Sequence, residues 1–184
     1  MGRHTSKERP KKSFGRELLS YIIVIFIAAL VSILFRIFFF EPFIVPSPSM
    51  EPTLMVQDKV IVNKFSYKFT GIKRGDVIVF PSPVDAEKNL VKRAIAFEGE
   101  TVKLGTDGII YINGEPIEKD YHLGGAPPEY TGQTFKIGKN EIFVMGDNRN
   151  NSYDSRYFGA ISRTDVFGEV SLIYWPVTRI KLVK

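Results

Sequence analysis

Residues 90–97 read LVKRAIAF, and this stretch predicts a buried β-strand with a lysine near its start. Side chains alternate between the two faces of a strand, so Lys92 and Arg93 point to opposite sides of the sheet. The residues that share a face with Lys92 are all apolar, namely Leu90, Ala94 and Ala96. Arg93 shares the other face with Val91 and Ile95. The pattern leaves two possibilities for Lys92: an amine enclosed by apolar neighbours, or a side chain at a strand edge with its ammonium group in water.

The sequence around this strand is typical of an antiparallel β domain, because short β-branched and aromatic runs alternate with turn signals. The predicted strands cover residues 58–69, 75–80, 90–97, 100–104, 108–114, 141–147, 168–176 and 179–183. Gly108 and Gly114 supply the positive φ angles of tight hairpins. Residues 120–138 are rich in Gly and Pro and predict an irregular excursion. We therefore expect a mainly β fold, with one antiparallel β-sheet domain after the N-terminal segment and no second domain.

The N-terminal segment contains an apolar run from Leu18 to Phe35, LLSYIIVIFIAALVSILF, with 18 residues and no charge. A membrane-spanning helix needs roughly 20 such residues. The competing interpretation is a cleaved secretory signal, which has a shorter apolar stretch and a small-x-small cleavage site. Here the run is longer and continues into bulky residues, so it predicts a retained transmembrane helix.

Positive charge is concentrated in the same segment. The first 36 residues hold seven Lys or Arg and two Glu, and the rest hold 18 of each sign, so the N-terminal segment accounts for the formal net charge of +5. The positive-inside rule then predicts a single-pass protein of the cell membrane, with a cytoplasmic tail over residues 1–17 and an extracytoplasmic domain over residues 41–184. Residues 18–40 form the anchor and a belt at the lipid interface. The aromatic cluster at the far end of the anchor, Phe38, Phe39, Phe40 and Phe43, is expected to lie at this interface.

The composition also excludes several classes of protein. The absence of cysteine removes disulfides, thiolate nucleophiles and Cys-type zinc sites. The two histidines, His4 and His122, are too far apart in sequence for an H-E-x-x-H zinc site. The neutral domain shows no stripe of Lys or Arg that would track phosphates. We therefore expect no metal, no cofactor and no nucleic-acid partner.

Residues 45–54, VPSPSMEPTL, form the first candidate for chemistry. Pro46, Pro48 and Pro52 fix their own φ and push the preceding residues toward extended conformations, so the loop is stiff. Such a loop is either a proline-rich spacer or a mount for a nucleophilic serine. The apolar character of MEPTL, directly after the aromatic belt, favours the second interpretation.

A serine nucleophile needs a base within hydrogen-bonding reach. His122 is the one histidine on the same side of the membrane, so a Ser-His-Asp triad is one option. A lysine is the other, provided that burial lowers its pKa enough to leave neutral amine near pH 7. Most other lysines adjoin turns or charges and are expected to be solvated, for example Lys73, Lys88, Lys103, Lys119 and Lys139. Lys92 is therefore the favoured base.

Residues 146–159, GDNRNNSYDSRYFG, are densely polar directly after an apolar strand. They form either an exposed turn or the polar wall of a buried site. A calcium loop is a poor fit, because Arg149 occupies the third position and no Gly the sixth. In a buried site, Ser152 or Ser155 can orient an amine. The acidic and basic residues that can form fixing pairs are Asp147, Asp154, Arg93, Arg149 and Arg156.

Four stretches in this order behind an anchor resemble the conserved boxes of the bacterial type I signal peptidases, or leader peptidases: PSPSMEPTL, GDVIVF, VKRAIAFEGE and GDNRNNSYDSRYFG. The resemblance covers nearly the whole chain, and the single anchor is similar to the Gram-positive forms. It implies a transmembrane helix followed by one antiparallel β-sheet catalytic domain of the signal-peptidase type. It also implies a Ser/Lys endopeptidase that cuts exported preproteins after small residues, at Ala-x-Ala sites.

The resemblance assigns roles by position. Ser49 is the expected nucleophile and Lys92 the general base, with Ser47 in the oxyanion hole beside the Ser49 N–H and Ser152 bonded to the lysine amine. The expected supporting ion-pair residues are Asp147, Arg93, Asp154 and Arg156. Met50 and Val91 are expected to line the substrate pocket. One stretch departs from the family, which reads PGD where this chain has Glu98-Gly99-Glu100.

Two other functions are compatible with parts of the sequence. A membrane-anchored, β-rich envelope binding module without catalysis would explain the anchor and the strands. A self-cleaving serine/lysine repressor would share the chemistry, but it would need a DNA-binding domain where this chain has an apolar span. The expected partners of the favoured peptidase are signal-peptide-bearing preproteins and membrane lipid, with the secretion machinery as a further possibility.

Overall fold

The structure is a computed structural model that describes residues 14–117 and 130–183. The predictions for the basic tail, His4, His122 and most of the excursion lie outside the described residues. Backbone contacts divide the chain after Phe38 into two compact units, which are described separately.

The first unit contains helix α1, which covers Phe14–Phe39 and has 26 residues. The 18 residues from Glu17 to Leu34 have a mean hydropathy of 2.6. At 1.5 Å per residue, a helix of this length exceeds the roughly 30 Å apolar thickness of a bilayer. Side chains from Glu17 to Leu34 are exposed all round. The predicted apolar helix is confirmed, and its length and composition suit a membrane span.

The second unit is built from strands, and within the described residues they form two antiparallel sheets. The large sheet has eight strands in the order β1-β2-β11-β3-β4-β9-β10, with β12 paired to β11. These strands are β1 Phe40–Ile44, β2 Lys59–Asn63, β3 Val77–Ser82, β4 Asp85–Phe97, β9 Glu141–Met145, β10 Ile161–Ser162, β11 Gly168–Trp175 and β12 Lys181–Leu182. The small sheet has four strands in the order β7-β6-β5-β8. They are β5 Thr101–Leu104, β6 Ile110–Ile112, β7 Glu115–Pro116 and β8 Thr134–Lys136.

Strand β4 lies at the centre of the large sheet, between β3 and β9. Val77 and Val79 of β3 pack in one apolar cluster, and Ile78 and Phe80 pack in another. Both faces of the sheet are therefore covered, which explains why residues 91–96 of β4 are all buried. The mainly β, antiparallel class is confirmed, and the division of the strands between two sheets is additional to the prediction.

The face alternation predicted for β4 holds only in part. Leu90 and Ala94 pack in the same cluster, as expected. Ala96 instead joins Ile95 in the cluster beneath the small sheet. The pairing of β4 with β9 shifts register between Ala94 and Ala96, and such a bulge adds one residue and reverses the side-chain alternation.

Several predicted boundaries were wrong. The strand expected over 58–69 ends at Asn63, whose side chain accepts the Phe65 N–H at 2.9 Å and turns the backbone. Helix α2, Ser66–Thr70, follows. Strand β1 lies in the stretch predicted as the aromatic belt, and β8 lies within the predicted excursion. The last predicted strand, 179–183, begins in a 3₁₀ turn, Val177–Arg179. A short helix α3, Ser155–Phe158, was not anticipated.

The turn after β4 contains Glu98 and Glu100, the two glutamates at which this chain differs from the family pattern. Glu100 accepts the Phe97 N–H at 2.8 Å with one carboxylate oxygen and pairs with Arg74 at 2.6 Å with the other. Glu98 accepts the Asn140 N–H at 2.9 Å. Gly99 between them has φ +81°, a backbone conformation that favours glycine. The turn is therefore closed by carboxylate hydrogen bonds.

Candidate active site

The 45–54 loop presents its second serine on a short 3₁₀ turn, Pro48–Met50. Ser47 before the turn and Glu51 after it are extended, as predicted from the prolines that follow them. Pro48 begins the turn, where the missing N–H costs no hydrogen bond. Ser49 and Met50 are buried. The stiff loop of the sequence analysis thus holds Ser49 inside the domain.

Lys92 meets Ser49 inside the domain. Its Nζ donates a hydrogen bond to Ser49 Oγ at 2.6 Å, across 43 residues of sequence. Lys92 is 3% exposed, because β4 is an interior strand and Ile78 of β3 is its cross-strand partner. Of the two possibilities left by the sequence, the structure shows the enclosed amine.

Burial lowers the pKa of the Lys92 amine from 10.5 to about 8. Two carboxylates, Asp154 and Asp147, act in the opposite direction and raise it, and the Arg156 guanidinium lowers it. Desolvation is the largest effect, since a charged ammonium loses water when it is enclosed. A group with this pKa is roughly one-tenth neutral at pH 7. Lys92 can therefore act as a proton acceptor near neutral pH.

The first ion pair beside the site joins β4 to the segment after β9. Arg93 Nε and Nη2 bind the two oxygens of Asp147 at 2.8 and 2.6 Å, and both side chains are fully buried. Thr53 Oγ1 donates to Asp147 Oδ2 at 2.5 Å. This pair is bidentate and charge-assisted, and through Thr53 it also holds the end of the serine loop.

The second ion pair stays within the polar segment. Arg156 Nε and Nη2 bind the two oxygens of Asp154, each at 2.8 Å. Asp154 also accepts the Gly146 N–H at 3.0 Å. Ser155 Oγ accepts the Val144 N–H at 2.9 Å, so it is engaged with the backbone rather than with the amine. The third arginine considered, Arg149, donates from Nε to the Gly146 carbonyl at 3.0 Å.

The two predicted accessory serines differ. Ser47 Oγ lies 3.2 Å from Ser49 Oγ, within hydrogen-bonding distance. Ser152 Oγ is buried and has no hydrogen-bond partner among the residues that the structure describes. The hydrogen bond expected between Ser152 and Lys92 is therefore not formed in this structure, where the Lys92 amine bonds to Ser49.

A small pocket opens beside Ser49. It is lined by residues 45–47, Ser49, Met50 and residues 89–92, and its volume is about 30 Å³. Both predicted pocket residues, Met50 and Val91, are among its lining residues. A space of this size holds only one or two water molecules.

Three polar residues near the site were not found from the sequence. Thr53 forms a hydrogen bond to Asp147, and Asn148 forms one to the Pro48 carbonyl of the serine loop. Asn89 lines the pocket. A signal existed for two of them, because Thr53 lies on the stiff loop and Asn148 directly follows Asp147. Their partners are distant in sequence, and only the fold brings them together.

Comparison with known proteins gives the family. The family model described as "Signal peptidase, peptidase S26" matches residues 18–175. The chain belongs to the signal peptidase family. This family consists of serine proteases, so the interpretation as a non-catalytic binding module is not supported. The resemblance found in the sequence is confirmed.

Individual signal peptidases match over most of the chain. Signal peptidase I of Leptolyngbya laminosa is 39% identical over an alignment of 171 positions, which covers 89% of this chain and 82% of that protein. Signal peptidase I P of Bacillus subtilis subsp. natto is 36% identical over an alignment of 188 positions, which covers 97% of this chain and 98% of that protein. The crystal structure of a signal peptidase I from Enterococcus faecalis V583 is 32% identical, with a TM-score of 0.43, over 54% of this chain and 96% of that one.

Proposed function

We propose that this signal peptidase cleaves with a serine/lysine dyad, in which Ser49 is the nucleophile and Lys92 the general base. The observation that carries the proposal is the 2.6 Å contact between Lys92 Nζ and Ser49 Oγ. It joins a weak nucleophile to an amine whose pKa burial lowers to about 8. A nucleophile and a base in direct contact are the minimum that covalent hydrolysis requires.

The proposed reaction proceeds through an acyl-enzyme. The neutral Lys92 amine takes the proton of Ser49 as Oγ attacks the scissile carbonyl carbon. The resulting ammonium returns that proton to the departing amine when the C–N bond breaks. Lys92 then removes a proton from water as the water attacks the ester carbonyl, and it returns that proton to Ser49 Oγ when the C–O bond breaks, which releases the carboxyl product and restores the neutral amine.

The Ser49 N–H and the Ser47 hydroxyl are the proposed donors to the oxyanion. Ser47 Oγ is close enough for this role, at 3.2 Å from Ser49 Oγ. Fixed donors of this kind lower the barrier, and removing one costs roughly 10²–10³ in kcat in another serine protease.

The proposed substrates are signal-peptide-bearing preproteins with a small residue directly before the cut. The volume of the pocket, about 30 Å³, supports this preference. We extend the proposal to Ala-x-Ala sites on the strength of the family resemblance. A substrate held in the membrane by its own signal helix would meet an anchored enzyme at a high effective concentration.

The same proposal includes the orientation in the membrane. Residues 1–17 would be cytoplasmic, residues 18–40 would form the anchor and interfacial belt, and residues 41–184 would be extracytoplasmic, in contact with lipid and within reach of the secretion machinery. Protease added to intact spheroplasts should degrade the β domain and spare an N-terminal tag. Protection of the domain would contradict this orientation.

The dyad can be tested with the full chain in detergent and a preprotein that carries an Ala-x-Ala site. The unmodified protein should cleave the preprotein, and Ser49→Ala and Lys92→Met should each abolish cleavage. Lys88→Met is a matched control, because Lys88 lies on the same strand and its side chain is 76% exposed. It should cleave at the normal rate.

The pH dependence gives a second test of the base. The activity of the unmodified protein should rise with a midpoint near pH 8 and fall about tenfold per pH unit well below it. Cleavage by Ser49→Ala at the normal rate would refute the dyad. So would a rate that does not change between pH 6 and pH 8.

A further inference from the structure

Asn148 binds the serine loop at two consecutive carbonyl groups. Its backbone N–H donates to the Ser49 carbonyl at 3.1 Å. Its side-chain Nδ2 donates to the Pro48 carbonyl at 3.2 Å, across 100 residues of sequence. The Pro48 carbonyl also accepts the Glu51 N–H at 3.1 Å. One residue of the polar segment therefore holds the two carbonyls that flank the Ser49 N–H.

The Pro48 carbonyl and the Ser49 N–H belong to the same peptide unit. That unit is planar and trans, so the carbonyl and the N–H point in opposite directions. A donor that fixes the direction of the Pro48 carbonyl also fixes the direction of the Ser49 N–H. A hydrogen bond to the carbonyl further polarises the peptide group and strengthens its N–H as a donor.

We infer that Asn148 is a positioning residue for the oxyanion hole, acting through the Pro48–Ser49 peptide unit. The Asn148 side chain aims the Ser49 N–H at the position where the substrate oxyanion develops. This inference rests on the proposed function, because it assumes that Ser49 is the nucleophile and that its N–H is an oxyanion donor.

Close packing around Asn148 supports a fixed geometry. A side chain on Gly146 would lie 2.4 Å from the Ser49 carbonyl oxygen and 2.2 Å from Ser152 Oγ, so the backbone there touches the serine loop directly. Asp147 binds Thr53 at the end of the same loop. The Asn151 N–H donates to the Asn148 carbonyl at 3.0 Å. Contacts within the polar segment therefore fix the backbone of Asn148 independently of its hydrogen bonds to the serine loop.

The decisive variant is Asn148→Ala, which removes the Nδ2 donor and keeps the backbone N–H. Its kcat should fall about tenfold to hundredfold, less than the loss reported for removing an oxyanion donor itself. Its KM should stay within about twofold, because the lost interaction acts on the transition state. The midpoint of the pH–rate profile should not move, since no charge is changed. Asn150→Ala is the matched control, because Asn150 is an exposed asparagine in the same turn.

A second variant covers the case in which Asn148→Ala folds poorly. Asn148→Asp keeps the size of the side chain but turns an acceptor oxygen toward the Pro48 carbonyl, so its kcat should be no higher than that of Asn148→Ala. A peptide aldehyde that forms a tetrahedral adduct with Ser49 should lose affinity by about the same factor as kcat/KM falls. The affinity for the cleaved signal peptide, which needs no oxyanion, should not change.

Two results would overturn the inference. One is a kcat of Asn148→Ala within about twofold of the unmodified rate, since positioning for the transition state acts on kcat. The other is an equal loss of affinity for the aldehyde and for the product peptide, which would indicate general damage to the site. If Ser49→Ala and Lys92→Met are inactive while Asn148→Ala is fully active, only this inference fails. If the unmodified protein does not cleave, the proposed function fails instead.

Discussion

Strand β4 carries two lysines in opposite surroundings. Lys88 lies at its exposed end, pairs with Asp85 at 2.7 Å and has a side chain that is 76% exposed. Lys92 lies four residues further on and is 3% exposed. The hydrogen bond from Lys88 to Asp85 raises the pKa of Lys88, whereas burial lowers the pKa of Lys92 to about 8. A few residues along one strand thus separate a permanently charged lysine from one that can act as a base.

The ion pairs of the same strand show the same contrast. The Arg93–Asp147 pair has a shortest distance of 2.6 Å, close to the 2.7 Å of Lys88–Asp85, but both of its side chains are fully buried. Distance alone therefore does not tell what an ion pair contributes. An exposed pair gains little because water and salt screen it, whereas a buried pair that loses one partner leaves an uncompensated charge. Four substitutions can test this contrast.

The largest effect is expected for Arg93→Met, which leaves the Asp147 carboxylate buried without its guanidinium. The free energy of unfolding should fall by about 3–5 kcal/mol. Urea denaturation at pH 7 measures this loss. The double variant Arg93→Met/Asp147→Leu should recover part of it, because it removes the stranded charge. A loss below about 1 kcal/mol in the single variant would show that burial does not raise the value of this pair.

Lys92→Met should act in the opposite direction and stabilise the fold at pH 7. The folded pKa of about 8 lies below the ordinary value of 10.5, so the unfolded state binds more protons between these two pH values. Below pH 8 the buried Lys92 ammonium lowers the free energy of unfolding by its full amount. Between about pH 8 and 10.5 this penalty disappears, so the stability of the unmodified protein rises with pH. Removing the amine should add up to about 3 kcal/mol at pH 7.

The difference between the Lys92→Met variant and the unmodified protein isolates this group, because all other titrations are shared. Urea denaturation at pH 7 and at pH 10 should show a stability difference that shrinks as pH rises. A difference that is independent of pH, or a less stable variant at pH 7, would contradict the buried and partly neutral amine.

A pair of intermediate exposure should give an intermediate effect. Arg179 is 31% exposed and binds the Asp58 carboxylate, which is 2% exposed, at 3.0 Å. Arg179→Met should therefore reduce stability by about 1–2 kcal/mol, less than the loss for a fully buried pair. Lys181→Met, an exposed position nearby, is the control. Equal melting temperatures for the two variants would refute the ranking by burial.

The contrast along β4 also shows what the sequence could predict. Lys92 stands out because its neighbours on the strand are apolar, and the loop that carries Ser47 and Ser49 stands out because prolines stiffen it. Both arguments are local, and the family resemblance then assigned the roles. The mainly β class and the apolar helix followed from equally local patterns.

The remaining features depend on contacts that no local pattern encodes. Thr53 reaches Asp147 across 94 residues of sequence, and only the folded chain brings the two side chains together. Helix α2 was missed because its alternating aromatic residues are also typical of a strand. The hydrogen bond expected between Ser152 and Lys92 is not formed, and the side-chain rotamers that decide such a contact depend on packing that a local pattern does not encode.

The smallest effect is expected for Lys88→Met, which removes the exposed pair. The Asp85 side chain is 37% exposed, so water replaces the lysine, and the melting temperature should stay within experimental error at moderate salt. Differential scanning calorimetry at low and at moderate salt measures this. A clear loss of stability that persists at moderate salt would mean that the exposed Lys88–Asp85 pair stabilises the fold as much as a buried ion pair of the same strand does. The contrast between the two lysines would then reflect something other than access to water.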